Sequence, residues 1–217
     1  HTVKAIDAYI AHLRNVLDAE KVIVALTDSV NFRKELNPLY KSHRKNQRKP
    51  IAYLPAIEHL KKAHNALTMP RLEADDVLGI VATSLPWGNV VIASADKDFN
   101  SVPCHFYNTG NSELVEVPVT LADYNFLTQA LSGDTADGYP GLPGCGPVSA
   151  AKILPPPGPL FNVANAWPTV VEAFRKKGLS EFDALLQARM AYILRKGDYD
   201  STTNKIKLWG HSLATTK

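Results

Sequence analysis

The chain has 217 residues and a mass of 23.8 kDa, enough for one core domain with a small appendage. Apolar residues make up 45% and charged residues 21%, which excludes a disordered tail, a coiled coil or a collagen-like repeat. The net charge of +3 and a pI near 8.8 are only mildly basic, so the placement of the charges matters more than their sum. No apolar run approaches the roughly 20 residues needed to span a bilayer, and the opening residues lack the order of a signal peptide. Cys104 and Cys145 stand far apart with no partner motif, which argues against a disulfide framework or a structural zinc and for a reducing cytoplasm, without membrane attachment.

In chain order, Val3, Ile6, Ile10, Leu13 and Leu17 predict an amphipathic opening helix. Val22–Leu26 is a short β-branched run, read as a buried strand that delivers Asp28 at its carboxyl edge. The basic stretch 32–50 has no apolar period and is expected to be exposed. Leu54, Ile57 and Leu60 mark a helix with Pro55 near its start. Glu73–Leu85 is a further helix, Val90–Ala95 a second buried strand, and Cys104–Tyr107 with Leu114–Val117 a strand pair. After a helix at Val119–Leu131 comes a glycine- and proline-rich turn at 132–146, a helix to Leu154, the breaker Pro155–Pro159, and helices at Val163–Lys176 and Glu181–Arg195. The alternation predicts an α/β fold with a central, mostly parallel sheet flanked by helices. The division expected is an α/β core over 1–131, including the basic stretch 32–50, and a helical segment over 132–217.

Charge is segregated along the chain. Arg33, Lys34, Lys41, Arg44, Lys45, Arg48 and Lys49 crowd one stretch, with Glu35 the only acid among them. The acids form knots: Glu73, Asp75 and Asp76; Asp96 and Asp98; Asp134 and Asp137. Ligands in α/β sheets sit beyond the carboxyl ends of the strands, where Asp28, Asp96 and Asp98 are expected. So many carboxylates converging on one edge require cations. Oxygen donors without cysteine or paired histidine select Mg²⁺ or Mn²⁺. Two such ions about 3.5–4 Å apart can activate a water and stabilise a leaving phosphodiester oxygen. A calcium loop is the alternative for any single knot, but no EF-hand spacing is present. The basic strip can hold phosphates, with Tyr40 placed to stack on a base. The glycine turn opening a helix suits phosphate as well. Cys145 is expected to pack, the seven histidines show no pairing, and only His43 is expected near nucleic acid.

The motifs Asp28-Ser-Val-Asn-Phe-Arg-Lys-Glu-Leu36, Tyr40-Lys-Ser-His-Arg-Lys45, Glu73-Ala-Asp-Asp76, Ser94-Ala-Asp-Lys-Asp-Phe99 and Gly133-Asp-Thr-Ala-Asp-Gly-Tyr-Pro-Gly-Leu-Pro-Gly-Cys-Gly146 occur in that order. Together they resemble the 5′ nuclease superfamily of flap endonucleases, with the greatest likeness to the 5′→3′ exonucleases of T7-like phages. The likeness spans about 22–154, and Ala188–Arg195 fits it too. The resemblance implies a PIN-like core in which Asp28, Glu73, Asp75, Asp76, Asp96, Asp98, Asp134 and Asp137 hold two divalent ions. It implies a helical arch in which Lys41 and Arg44 act on the scissile phosphate. Arg33, Lys34, Tyr40, Lys45 and Arg48 would contact DNA. Gly144, Gly146, Ser149 and Lys152 fall on a helix–three-turn–helix element that grips duplex DNA, sometimes through K⁺.

The activity implied is metal-dependent hydrolysis of DNA from 5′ ends or flaps, with RNA-primer removal as a related activity, by a monomer. The family's first strand ends in an aspartate that would precede His1, and Asp7, inside the opening helix, does not stand in for it. The sequence as given is therefore expected to be impaired at one ion site. A non-catalytic DNA-binding module and a PIN-type ribonuclease are the rival readings. The glycine turn and the basic strip argue against the second.

Overall fold

The computed structural model describes residues 1–210. Helix α1, Thr2–Val16, turns its half-buried stripe of Val3, Ile6, Ile10 and Leu13 inward, as its period demands. Helices α2 (Phe32–Leu36), α3 (Tyr53–Ala63) and α4 (Ala74–Ser84) precede strand β1, Val91–Ser94. β1 pairs in parallel with β2, Cys104–Asn108, and β2 pairs antiparallel with β3, Glu113–Val117. The three form a small mixed sheet in the order β1-β2-β3, flanked by helices. Helices α5 (Val119–Ser132), α6 (Pro147–Ile153), α7 (Val163–Arg175) and α8 (Glu181–Ala191) follow, then a two-residue hairpin, β4 (Tyr199–Asp200) and β5 (Lys205–Ile206). No helix among the described residues is long and apolar enough to cross a membrane.

Most helix boundaries follow local chemistry. Asn31 accepts from the Arg33 amide to open α2, and Asn162 accepts from Ala164 to open α7. Glu73 and Asp76 form a reciprocal capping box at the start of α4, as Ser180 and Asp183 do for α8. Pro147 occupies the first turn of α6, where its missing N–H costs nothing.

Three expectations need correction. Val22–Leu26 does not form a strand: Ala25 makes a single parallel bridge to Leu67, with Leu26 N–H donating to Leu67 O and Leu67 N–H to Val24 O. Among the described residues this run has a ladder partner only over those few positions, so its β propensity goes unused. The stretch 32–50 is not uniformly exposed either. Phe32, Arg33 and Tyr40 are buried, and a 3₁₀ turn spans Ser42–Asn46. Finally, α8 stops at Ala191 instead of reaching Arg195, because the backbone beyond it is engaged by buried charges of the site.

The largest core cluster joins Phe126, Leu127 and Leu131 of α5 with Trp167 and Phe174 of α7 and Ala184 and Ala188 of α8, and it includes Tyr40 and Tyr139. The boundary expected after residue 131 therefore crosses a shared core. Two smaller clusters, one around Phe99 and Phe106 and one around Phe32, Leu72 and Val77, take in Ile193 and Leu194 from the chain after α8. The segment that follows α8 thus packs back against the sheet and α4.

Candidate active site

A cleft of about 850 Å³ opens at the carboxyl end of β1 and the start of α4. Asp28, Glu73, Asp75, Asp96, Asp98, Asp134 and Asp137 all line it. Lys34, Lys41, Arg44 and Lys49 line it as well. The segregation seen along the chain is thus folded into one cavity with both signs of charge facing inward.

Each acid arrives by a short local device. Asp96 and Asp98 follow β1 directly, and the Asp96 carboxylate accepts from the Asp98 amide to start a 3₁₀ turn. Asp134 caps its own loop, accepting from the amides of Ala136 and Asp137. Asp28 accepts from the Ser29 and Arg71 amides, and the Arg71 bond leads the effects that hold its carboxyl below the usual range. One oxygen each of Asp98, Asp134 and Asp137 lies within 4.8 Å of the others. That is the spacing from which three hard oxygen donors can close on one cation.

The electrostatics divide the acids into two groups. Burial pushes the Asp75 carboxyl up to about 7, and the charges of Glu73 and Asp96 add to the push. Burial likewise raises Asp98 to about 6, with Asp96 and Asp134 adding to it against a hydrogen bond from Gln129. Lys41 draws Asp75 down and Lys97 draws Asp98 down, but burial and the neighbouring acids outweigh both cations. Glu73 behaves oppositely. Burial pushes it up, but Arg33 and Lys41, with hydrogen bonds from Lys41 and Tyr40, outweigh burial and hold it at about 2.

Arg33 is the centre of that second group, and its expected role is corrected. It is 3% exposed and cannot lie on a DNA-contacting surface. Its Nη1 and Nη2 donate to Asp76 Oδ2 and Oδ1, both at 2.7 Å, and Nη1 also reaches Glu73 Oε2 at 3.2 Å. Nε donates to Met190 O and Nη2 to Tyr192 O. Asp76 is fully buried and also accepts from the Leu194 and Glu73 amides. Its oxygens are occupied by protein donors, so the structure makes Asp76 a fold-holding group and not an ion ligand. Tyr40 is corrected in the same way. Its ring is buried, 6.4 Å from that of Tyr139, and its hydroxyl donates to Glu73 Oε2 at 2.9 Å, so no face is free for a base.

A match to the family described as 5′-3′ exonuclease, N-terminal resolvase-like domain, covers residues 1–112. The exodeoxyribonuclease of Enterobacteria phage T3 is 32% identical over 219 aligned positions, spanning 87% of this chain and 72% of that one. The chain belongs to the 5′-3′ exonuclease family. This family member is also 36% identical over 140 positions to the flap endonuclease Xni of Shewanella sp. strain ANA-3, across 58% of this chain and 54% of that one. Its fold matches a crystal structure of the bacteriophage T5 flap endonuclease in a pseudo-enzyme-product complex with DNA and metal ions. That match has a TM-score of 0.57 at 19% identity and covers 87% of this chain and 84% of the other.

In this exonuclease-family chain the donors present fit a divalent ion: they are all oxygen, they converge, and two of them are held in need of positive charge. The residues expected on the basic strip are spread more widely. Lys41 donates to Glu73 Oε1 at 2.7 Å and lies 3.3 Å from Asp137 Oδ2, and Arg44 Nη2 donates to Asp137 Oδ1 at 2.8 Å. Lys34 is exposed at the cleft, and Arg48 is exposed without lining it. The Lys45 side chain lies outside what the structure describes. Gly144 and Gly146 on the turn into α6, Ser149 near its start and Lys152 in its last turn are all exposed, away from the cleft lining.

Sequence reasoning missed Gln129, which reaches Asp98 from α5; Lys49, expected on the basic strip, has its ammonium 4.1 Å over the Tyr53 ring at the cleft wall. Lys49 was readable from the basic run; Gln129 carried no local signal. Sequence reasoning also missed a histidine pair: the ring nitrogens of His59 and His64 both meet Asp7 Oδ1.

Proposed function

We propose that this chain is a divalent-metal-dependent 5′→3′ exonuclease with flap-endonuclease activity, hydrolysing DNA phosphodiesters from 5′ ends. The observation that carries the reading is the shared cleft in which acids raised by burial and by one another, Asp75 and Asp98, face Lys41 and Arg44. The relatives named above carry exodeoxyribonuclease and flap-endonuclease activities in their names, and the T5 structure holds DNA and metal ions.

Asp28, Asp75, Asp96, Asp98, Asp134 and Asp137 would hold two ions, Mg²⁺ by donor hardness and Mn²⁺ as a substitute. When bound, such ions lower the pKa of a water and neutralise the departing oxygen. The chain's own residues do the rest. Glu73 stays ionised and anchors Lys41, so the ammonium enters the cleft at a fixed place. Lys41 and Arg44 then offer preorganised positive charge to the phosphate where negative charge develops. The buried wall behind them, Tyr40 and Arg33, keeps that charge from relaxing away.

The exposed turn at Gly144–Gly146, with Ser149 and Lys152, would grip the duplex backbone, and a K⁺ ion at the turn belongs to the same reading. Exchanging Na⁺ for K⁺ in a binding assay tests that ion. Removal of RNA primers, monomeric action and a cytoplasmic setting complete the proposal.

The deciding experiment uses a 5′-labelled duplex and a 5′-flapped duplex with Mg²⁺ and with EDTA. Release of short products from the 5′ end, abolished by EDTA and by Asp98→Asn, is expected. Binding without hydrolysis in Mg²⁺ and in Mn²⁺ would replace the reading by that of a DNA-binding module.

A further inference from the structure

Outside the cleft, three ligand-type side chains meet between α1 and α3. Asp7 lies in the second turn of α1, His59 in α3, and His64 at the carboxyl cap of α3. Asp7 Oδ1 is 2.6 Å from His59 Nε2 and 2.7 Å from His64 Nε2, and the two rings stand edge to face with centroids 5.4 Å apart. None of the three lines the cleft.

The histidines are five apart in sequence, which is not a one-face spacing on a continuous helix. They converge because the helix ends between them: Asn65 takes a left-handed φ of 48°, and the amides of His64 and Ala66 both donate to Leu60 O. The turn that closes α3 is what swings His64 back beside His59.

We propose that Asp7, His59 and His64 form a second metal site, selective for Zn²⁺, that clips α1 to α3. Two imidazole nitrogens and one carboxylate oxygen are a borderline donor set suited to Zn²⁺, in contrast to the all-oxygen cleft. Bonds of about 2.0–2.1 Å in tetrahedral array place ligand atoms roughly 3.3 Å apart. The two Asp7–histidine separations are hydrogen-bond lengths and must lengthen by less than about 1 Å to admit the ion, and all three ligand atoms already lie within 4.8 Å of one another. Side chains that are 45%, 19% and 21% exposed, for Asp7, His59 and His64, leave room for that movement and for water at a fourth position. On binding, each Nε2 gives up its proton or presents its lone pair, with the ring hydrogen moving to Nδ1.

The mechanical consequence follows from burial. Neither α1 nor α3 has a fully buried residue, so the two helices are held by half-buried side chains and this junction. An ion that binds only the folded arrangement stabilises it by mass action.

The test is calorimetric titration of the full chain with ZnCl₂ in excess Mg²⁺, which occupies the acidic cleft, together with imidazole NMR. One equivalent of Zn²⁺ should bind, shifting the ring resonances of His59 and His64 and raising Tm. His59→Ala and His64→Ala should each weaken it by about 100-fold or more, since even the loss of an outer partner costs about 10–100-fold. Asp7→Asn keeps a hydrogen-bond acceptor without the charge and should weaken it too. This variant decides the matter should either alanine variant fail to fold. Nuclease activity in Mg²⁺ should be unchanged in all three. Absence of saturable Zn²⁺ binding under excess Mg²⁺, or equal binding by wild type and the variants, would overturn the proposal and leave a His–Asp–His hydrogen-bonded junction.

Discussion

Arg33 and Asp76 face each other through two parallel hydrogen bonds of 2.7 Å, both side chains almost wholly out of water. The pair joins α2 to α4, and through the carbonyls of Met190 and Tyr192 and the amide of Leu194 it also ties down the chain that leaves α8. Three segments distant in sequence therefore share one charged knot beneath the acidic cleft. Removing one partner strands a buried charge, which costs about 3–5 kcal/mol. Arg33→Ala and Asp76→Ala should both lower stability by that order in urea denaturation. Arg33→Lys should rescue little, because an ammonium cannot make the two-pronged contact. A stability change below about 1 kcal/mol in both alanine variants would show that the knot is peripheral to the fold.

The two acids raised toward neutrality make the metal-free protein sensitive to pH. Asp75 and Asp98 ionise in the fold near 7 and near 6, above the ordinary aspartate value of 3.8. Their protonated forms are thus the ones the fold prefers. The stability tied to them is intact below about pH 4 and is lost as pH rises through 6 and 7. Without divalent ions, Asp75→Asn should be as stable as wild type at pH 4 and more stable at pH 8. Each kcal/mol regained is worth roughly 2–4 °C in Tm for a chain of this size. Adding Mg²⁺ at pH 8 should narrow the difference, since the ion binds the wild-type folded state more tightly. Thermal melts at the two pH values, with and without Mg²⁺, check all three expectations.

Much of this site was legible in the sequence, for a physical reason. Acids that follow a strand, as Asp96 and Asp98 follow β1, or that cap a glycine turn, as Asp134 does, are placed by local chemistry. The same holds for the capping box of Glu73 and Asp76. What could not be read is which charges neutralise one another across long separations. Arg33 sits in a run of cations, and its pairing with Asp76, 43 residues on, carries no local signature. Tyr40 is hidden for the same reason, its burial resting on Tyr139. The carbonyls that end α8 early are recruited by Arg33, so helix periodicity alone overran the true boundary. Val22–Leu26 erred the other way: its β-branched composition was correct for a strand, but a ladder is a property of two segments.

Lys41 stands between two roles. In the metal-free fold its ammonium neutralises Glu73 and Asp137, and burial, which opposes the charge, is outweighed by Glu73 so that its pKa is raised. A cation ligated by Asp137 competes with it. Lys41→Ala should therefore tighten Mg²⁺ binding severalfold while lowering the rate of DNA hydrolysis by about 10²-fold, the scale for losing one preorganised charge at a reacting group. Arg44→Ala, whose guanidinium is nearly half exposed, should show the same signs with smaller amplitude. Mg²⁺ titration by calorimetry and single-turnover cleavage separate the two effects. A fall in both quantities together would mean that Lys41 only holds the acids in place.

Lys152, exposed in α6, should act on affinity alone. Lys152→Ala is expected to weaken duplex binding and to reduce the salt slope of log K by about one phosphate contact. The cleavage rate of bound DNA should be unchanged. An unaltered slope between low and moderate salt would remove Lys152 from the interface.

The glycines of the turn divide into two kinds. Gly133 and Gly141 lie back to back: a Cβ on Gly141 would fall 2.3 Å from the Gly133 nitrogen, and one on Gly133 would fall 2.3 Å from the Pro140 carbonyl carbon. Both have positive φ, and the Gly141 amide donates to the buried Gln187 side chain. This contact closes the loop that carries Asp134 and Asp137, so the spacing between the two glycines sets the ligand geometry. Gly144 has a φ of +75° but meets nothing within 4 Å. Gly141→Ala must therefore move backbone, and should lower stability by several times the ~1–2 kcal/mol that a left-handed conformation alone costs. It should also weaken Mg²⁺ binding by displacing Asp134. Gly144→Ala should cost only the conformational term and leave Mg²⁺ binding intact, while reducing duplex affinity if the turn backbone approaches a phosphate. Denaturation, Mg²⁺ calorimetry and DNA binding on the two variants give opposite patterns when the turn both braces the ion site and touches DNA. Equal stability losses would show instead that Gly133 and Gly141 separate without cost, and that the loop is held by Gln187 alone.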